Sequence, residues 1–207
     1  MFELFFKAKK IEMDTVVGID YGSKLAGTTV LAYYQNEMVR FRASRHQEDA
    51  DKFIVKQLEV LKPQFVFLDA PLSLPGKYVD KKSYSDYFYR EADRELGAMS
   101  PMFLGGLTAR AMKLRDYLEK VEITVFETYP KQQSVILDLD KTKYKNNDKH
   151  IAELAKVVSE KFGLNVNYDQ MKTWHHFDSL LAYVAGIRFL NKTHQVIGDK
   201  QEGLIIV

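Results

Sequence analysis

Three short apolar runs in this chain each end in a carboxylate, and that repeated pattern constrains the fold more than any other feature. Val16 to Ile19 runs into Asp20, Phe65 to Leu68 into Asp69, and Ile123 to Phe126 into Glu127. Nearly continuous β-forming runs of this length read as central strands buried on both faces. For one strand alone the plainer reading prevails, a buried strand whose terminal Asp closes a turn. Three of them change the balance. As parallel neighbours they would deliver all three carboxylates to one edge of a sheet, where α/β proteins place their ligand sites. Like charges gathered there repel, so the cluster is costly unless a cation joins it. A divalent metal site is the economical reading.

The elements between these runs set the architecture. Residues 28–34 return from the first strand, Asn36 and Glu37 turn the chain, and residues 38–43 form a third strand, giving an antiparallel meander. Residues 48–61 read as a helix with Ile54, Leu58 and Leu61 on one face and Pro63 closing it. The stretch 71–85 breaks all regularity, with Pro71, Pro75 and Gly76 among charged and tyrosine residues. Helices are expected over 86–96, stopped by Gly97, and over 107–118. After Glu127 comes a basic, polar loop, then an amphipathic helix over 150–162 capped by Gly163. A last long helix is expected over 175–190 and a short final strand over 203–207. Residues 1–15 read as an extension, an edge strand or a tail. No repeat or low-complexity linker divides the chain.

Composition sets outer bounds. A chain of 207 residues suits one domain with a sizeable core. No apolar run reaches the roughly 18 residues of a membrane helix, and in MFELFFKAKK the lysines follow the apolar patch, the wrong order for a secretory signal. Without cysteine there is neither a disulfide framework nor thiolate chemistry. The expectation is a cytoplasmic protein that does not engage a membrane, its oligomeric state open. A formal charge of +2 permits a nucleic-acid partner without demanding one.

The order of strands and helices places an antiparallel meander beside parallel strands reached through helical crossovers. That is the order of a ribonuclease H-like α/β fold, a mixed sheet with helices on both faces, here with a largely helical insertion over 71–120. The motifs GIDYGSKLAGTT, LDAPLSLP, YREADRELG, FETYPK, HHFDSLLAYVAG and EGLIIV occur in that sequence. Together they resemble an uncharacterised family of predicted ribonuclease H-like nucleases, a domain of unknown function, from about residue 16 to the C-terminus. The opening is also similar to that of Holliday-junction resolvases. The resemblance implies acids that hold metal ions, with Asp20 and Asp69 on adjacent central strands.

A fourth acid is expected from the last helix, and Asp178 falls in its first turn, where the helix dipole favours an anion. The same position suits a carboxylate that only stabilises the helix start. Asp20, Asp69, Glu127 and Asp178 would then bind two Mg²⁺ or Mn²⁺ ions, hard cations suited to oxygen ligands. The implied activity is phosphodiester hydrolysis, one ion activating water and the other stabilising the leaving oxygen. His175, more than His176, is the candidate proton shuttle or phosphate contact. Zinc does not fit, since cysteine is absent and no spaced second histidine joins the pair.

Nucleic acid also needs cations. Arg90 and Arg110 lie in the family's motif segments, Lys131 follows the Tyr-Pro after Glu127, and Lys24 sits in the turn after Asp20. These four are the candidate substrate ligands, although helix-face arginines more often form ion pairs along the helix. Lys141, Lys143, Lys145 and Lys149 form a basic stretch that could track phosphates or remain a solvated loop. Tyr78, Tyr84, Tyr87 and Tyr89 interleave with Lys77, Lys81 and Lys82, either a base-stacking surface or a surface lid. Two other classes remain. Actin-like nucleotide enzymes share a similar first hairpin but need two such domains, and no GxxxxGK[ST] loop is present. A nucleotide- or nucleic-acid-binding protein without turnover would keep the fold and lose the chemistry.

Overall fold

The structure, a computed structural model, describes residues 13–207. The extension expected over residues 1–15 therefore lies almost wholly outside the described residues. Strands β1 (Val16–Asp20), β2 (Val30–Gln35) and β3 (Met38–Ala43) form the meander, and helix α1 (Ala50–Leu61) leads to β4 (Phe65–Asp69). Three helices follow, α2 (Glu91–Leu96), α3 (Pro101–Leu104) and α4 (Gly106–Lys120), before β5 (Thr124–Glu127). The chain ends with α5 (Pro130–Ile136), α6 (Ile151–Phe162), α7 (Trp174–Leu190), β6 (Val196–Ile197) and β7 (Ile205–Ile206).

The strands make one seven-stranded mixed sheet in the order β3-β2-β1-β4-β5-β7-β6. Strands β1, β4, β5 and β7 run parallel, while β2, β3 and β6 are antiparallel to their neighbours. This is an α/β fold consistent with a ribonuclease H-like sheet. Because side chains alternate along a strand, the sheet has two distinct cores. Val16 and Phe67 face one way, into a cluster with α6 and α7 that includes Leu154, Phe177, Leu181 and Val184. Val17, Ile19, Val66, Leu68 and Val125 face the other, against Phe53, Ile54 and Leu58 of α1 and Leu114 and Leu118 of α4.

Helix α7 is buried along most of its length, from Phe177 to Arg188, as a helix apolar on all sides must be. Two glycines let it lie directly on the sheet. A Cβ on Gly18 would come within 2.1 Å of the Tyr183 amide nitrogen and 2.6 Å of the Ser179 carbonyl oxygen. On the helix side, a Cβ on Gly186 would come within 2.3 Å of the Val16 side chain. Backbone-to-backbone contact at Gly18 fixes the height of α7 over β1, and with it the position of Asp178.

Several boundaries moved for local reasons. Helix α2 starts at Glu91 rather than 86, because the Asp86 carboxylate accepts from the Phe88 and Tyr89 amides and holds the chain in a turn. Helix α5 stands where a loop was expected, with Pro130 in its first turn. Strand β6 and the four-residue α3 were also not foreseen.

Candidate functional site

Parallel pairing of β1 with β4 sets Asp20 opposite Asp69, so both carboxylates leave the C-terminal edge on the α7 face. Asp178, in the first turns of α7, joins them there. One oxygen from each of Asp20, Asp69 and Asp178 lies within 4.8 Å of the others. Ligand oxygens on opposite sides of an octahedral Mg²⁺ stand about 4.2 Å apart, twice a bond of roughly 2.1 Å. The three acids are close enough that one divalent cation could take an oxygen from each, and their donor chemistry is that of hard oxygen ligands.

Asp20 and Asp178 have different neighbours. Asp20 Oδ2 lies 2.8 Å from Nδ1 of His175. The Tyr144 hydroxyl donates to Asp178 Oδ1 at 2.7 Å, and the Lys145 ammonium meets Asp178 Oδ2 at 2.6 Å. Burial and then the charges of Asp20 and Asp178 push the Asp69 carboxyl well above the usual carboxylate range. Burial also pushes Asp178 up, against the pull of Lys145. Burial works to lower the Lys145 ammonium, and the Asp178 carboxylate outweighs it, so its pKa stands above the ordinary lysine value.

The two histidines part company. The bond to Asp20 raises the His175 imidazole above its ordinary value. The stability that this pair contributes is therefore present below about pH 6.5 and lost as pH rises through the elevated value. His176 turns away, with Nδ1 2.8 Å from the Thr173 hydroxyl and its ring edge-on to Phe41. Burial, then the neighbouring His175, lowers it to about 4.

Glu127 stands apart from the three aspartates. Its partner across the β4–β5 ladder is Leu68, one residue short of Asp69, so its side chain points to the opposite face of the sheet. There the Arg90 guanidinium donates to both its oxygens, at 2.6 and 2.7 Å, and the Leu72 amide donates at 2.8 Å. The same guanidinium donates to both oxygens of Asp93, at 2.7 and 3.0 Å, and to the Ser73 hydroxyl. Only 1% of Arg90 is exposed. Burial pushes Glu127 up and the guanidinium opposes that rise. Arg90 and Glu127 are thus engaged with each other inside the protein. The motif YREADRELG supplies both Arg90 and Asp93 to this knot.

Of the other basic candidates, Arg110 lies over the Tyr21 ring at 4.8 Å, pairs with Asp51 at 2.8 Å, and donates to the Gly22 carbonyl. It ties the turn after Asp20 to α1 and α4. Lys24 is exposed and pairs with Asp49 at 3.3 Å. Lys131 is exposed in the first turn of α5. In the tyrosine-rich segment, the Tyr84 hydroxyl bonds Asp199 and its ring covers Gly76, while Tyr78 and Tyr87 meet in a T-shaped pair with Lys77 over the Tyr87 ring.

Tyr144 was not singled out in the sequence, and Lys145 appeared only as one of four lysines in a basic stretch. Lys145 has φ +57°, a left-handed backbone that no periodicity announces. Comparisons of the chain with family models, with curated proteins and with solved structures return no match. Among the described residues, no helix is long and apolar enough to cross a membrane.

Proposed function

We propose that the protein is a metal-dependent phosphodiester hydrolase acting on nucleic acid, with Asp20, Asp69 and Asp178 as the metal ligands. One observation carries the reading: three carboxylates from β1, β4 and α7 converge within 4.8 Å at the sheet edge. Holding three acids this close, two of them with raised pKa values, costs stability that a bound cation would recover. Mg²⁺ or Mn²⁺ fits an all-carboxylate set better than softer metals do. With Glu127 on the other face, the protein donors among the described residues number three, and phosphate oxygens of the substrate would complete the shell.

When bound, such ions polarise the scissile phosphate and lower the pKa of water. The chain's own residues do the rest. Asp20 orients His175 through Nδ1, leaving Nε2 to exchange a proton with the attacking water or the leaving oxygen. Tyr144 fixes the rotamer of Asp178. Lys145, half exposed at the edge, can move from Asp178 to a phosphate oxygen as substrate arrives.

Lys145 also favours a second reading, a nucleic-acid-binding protein without turnover, because its ammonium already neutralises part of the acid cluster. One experiment separates the two. Purified protein is incubated with single-stranded, duplex and branched nucleic acids in Mg²⁺, Mn²⁺ or EDTA, with Asp69→Asn in parallel. Cleavage that needs the metal and disappears in Asp69→Asn supports hydrolysis. Equal traces from both proteins mark a contaminant and leave the binding reading.

A further inference from the structure

On the sheet face opposite the acid cluster, α1 and α4 leave a groove of about 580 Å³ between them. That volume lies within the range of small-molecule and nucleotide sites, roughly 300–1,000 Å³. Its mouth is the turn that follows Asp20. The Lys24 carbonyl accepts from the Ala50 amide at 2.9 Å and the Gly22 carbonyl from the Arg110 guanidinium at 3.3 Å, so the N-terminal ends of both helices are tied to carbonyls four and two residues beyond the acid.

The groove carries five basic side chains, Lys24, Lys52 and Lys56 from the turn and α1, and Arg110 and Lys113 from α4. Lys24 and Arg110 are paired, with Asp49 and Asp51. Lys52, Lys56 and Lys113 are exposed, and among the described residues none has a carboxylate within ion-pair distance. Lys52 and Lys56 stand one helical turn apart, about 6 Å along α1. Between the two helices the floor is apolar, from Val55 and Leu114, with Tyr117 along one side. Glu59 enters only toward the C-terminal end of α1, away from the mouth. Unpaired ammonium groups above an apolar, aromatic floor match a chain of phosphates carrying planar bases.

We infer that this groove is the track for one strand of a nucleic acid, its phosphates on Lys52, Lys56 and Lys113 and a base against Tyr117. The strand passes over the Tyr21–Lys24 turn to reach the acids. This inference deepens the hydrolase reading and rests on it for the direction of the strand. Lys24 and Arg110 hold the mouth open, while the three unpaired lysines grip. Affinity along the track comes from counterion release and is steeply salt-dependent.

The test is fluorescence anisotropy of a labelled single-stranded oligonucleotide in EDTA at several salt concentrations. Wild type is compared with Lys56→Ala/Lys113→Ala and with Lys156→Ala/Lys200→Ala, a surface pair of equal charge outside the groove. All four positions are exposed, so circular dichroism should report the same fold throughout. The groove variant should bind about 10-fold more weakly at low salt, its log–log salt slope shallower by about 1.4 (roughly 0.7 per lost phosphate contact). The control should match wild type. A groove variant that binds like the control overturns the track. Metal-dependent cleavage together with that result would leave the hydrolase reading standing alone. Weakened groove binding in a protein that cleaves nothing would instead sustain the track and sink the hydrolase.

Discussion

Two groups of acids sit at the same edge of one sheet, on opposite faces, and their surroundings differ. Asp20, Asp69 and Asp178 converge with one half-exposed lysine and one histidine beside them. Glu127 and Asp93 converge on Arg90, whose guanidinium donates to both oxygens of each. The first group meets its lysine and histidine at a half-exposed edge; in the second, two carboxylates share one guanidinium that bonds all four of their oxygens and is sealed from solvent. A carboxylate at the end of a central strand is therefore ambiguous. What separates the two groups is whether the cation beside the acids is buried with them, as Arg90 is, or half exposed, as Lys145 is.

The largest expected difference between the groups is in stability. Arg90→Ala would leave Glu127 and Asp93 buried without a countercharge, held only by the Leu72 amide and the amide of residue 90, costing about 3–5 kcal/mol. Thermal unfolding should show a fall of about 6–20 °C at roughly 2–4 °C per kcal/mol for a protein of this size. A smaller fall would mean that water or a neighbour replaces the arginine.

Asp20→Asn should spare the fold and abolish at least about 99% of metal-dependent cleavage, roughly 2.7 kcal/mol of barrier. The nuclease assay with purified variants checks this. Retained activity would remove Asp20 from the site.

Asp69→Asn should stabilise the metal-free protein, the reverse of Arg90→Ala. The Asp69 carboxyl is held above its unfolded pKa by burial and by Asp20 and Asp178. The folded state thus binds the extra proton, and wild type loses stability as pH rises from about 3.9 through the elevated value. Asparagine has no such window. Melting curves without metal should show a gain that grows from pH 4 toward neutrality, about 2–4 °C for each kcal/mol of repulsion relieved.

The smallest effect concerns Lys145. Its ammonium lies 2.6 Å from Asp178 Oδ2, so Lys145→Ala removes a competitor for incoming cations. About 1 kcal/mol of attraction, the value for unit charges about 4 Å apart in water, corresponds to roughly fivefold tighter Mn²⁺ binding by calorimetry.

The contrast between the acid groups also marks what the sequence could and could not disclose. Apolar runs ending at Asp20 and Asp69 announced adjacent parallel strands, because a strand buried on both faces has little room for polar residues. Asp178 was legible from its place at the start of a long apolar helix. Glu127 was legible as a strand end but not as facing the other way. Its direction depends on a one-residue register between β4 and β5, and the strand's own pattern carries no record of that register. Arg90 presented itself as a helix-start cation for substrate, and only its contact with Glu127, 37 residues away, shows it to be sealed. Tyr144 and Lys145 come from an aperiodic loop, where neither strand nor helix spacing predicts which side chain turns inward.

The direct test of the account is Mn²⁺ binding followed by electron paramagnetic resonance in wild type, Asp69→Asn and Glu127→Gln, each first shown to be folded. Saturable binding in wild type and Glu127→Gln, with its loss in Asp69→Asn, is the predicted result. If Asp69→Asn binds Mn²⁺ as wild type does while Glu127→Gln does not, the metal centre lies on the other face and the account is wrong.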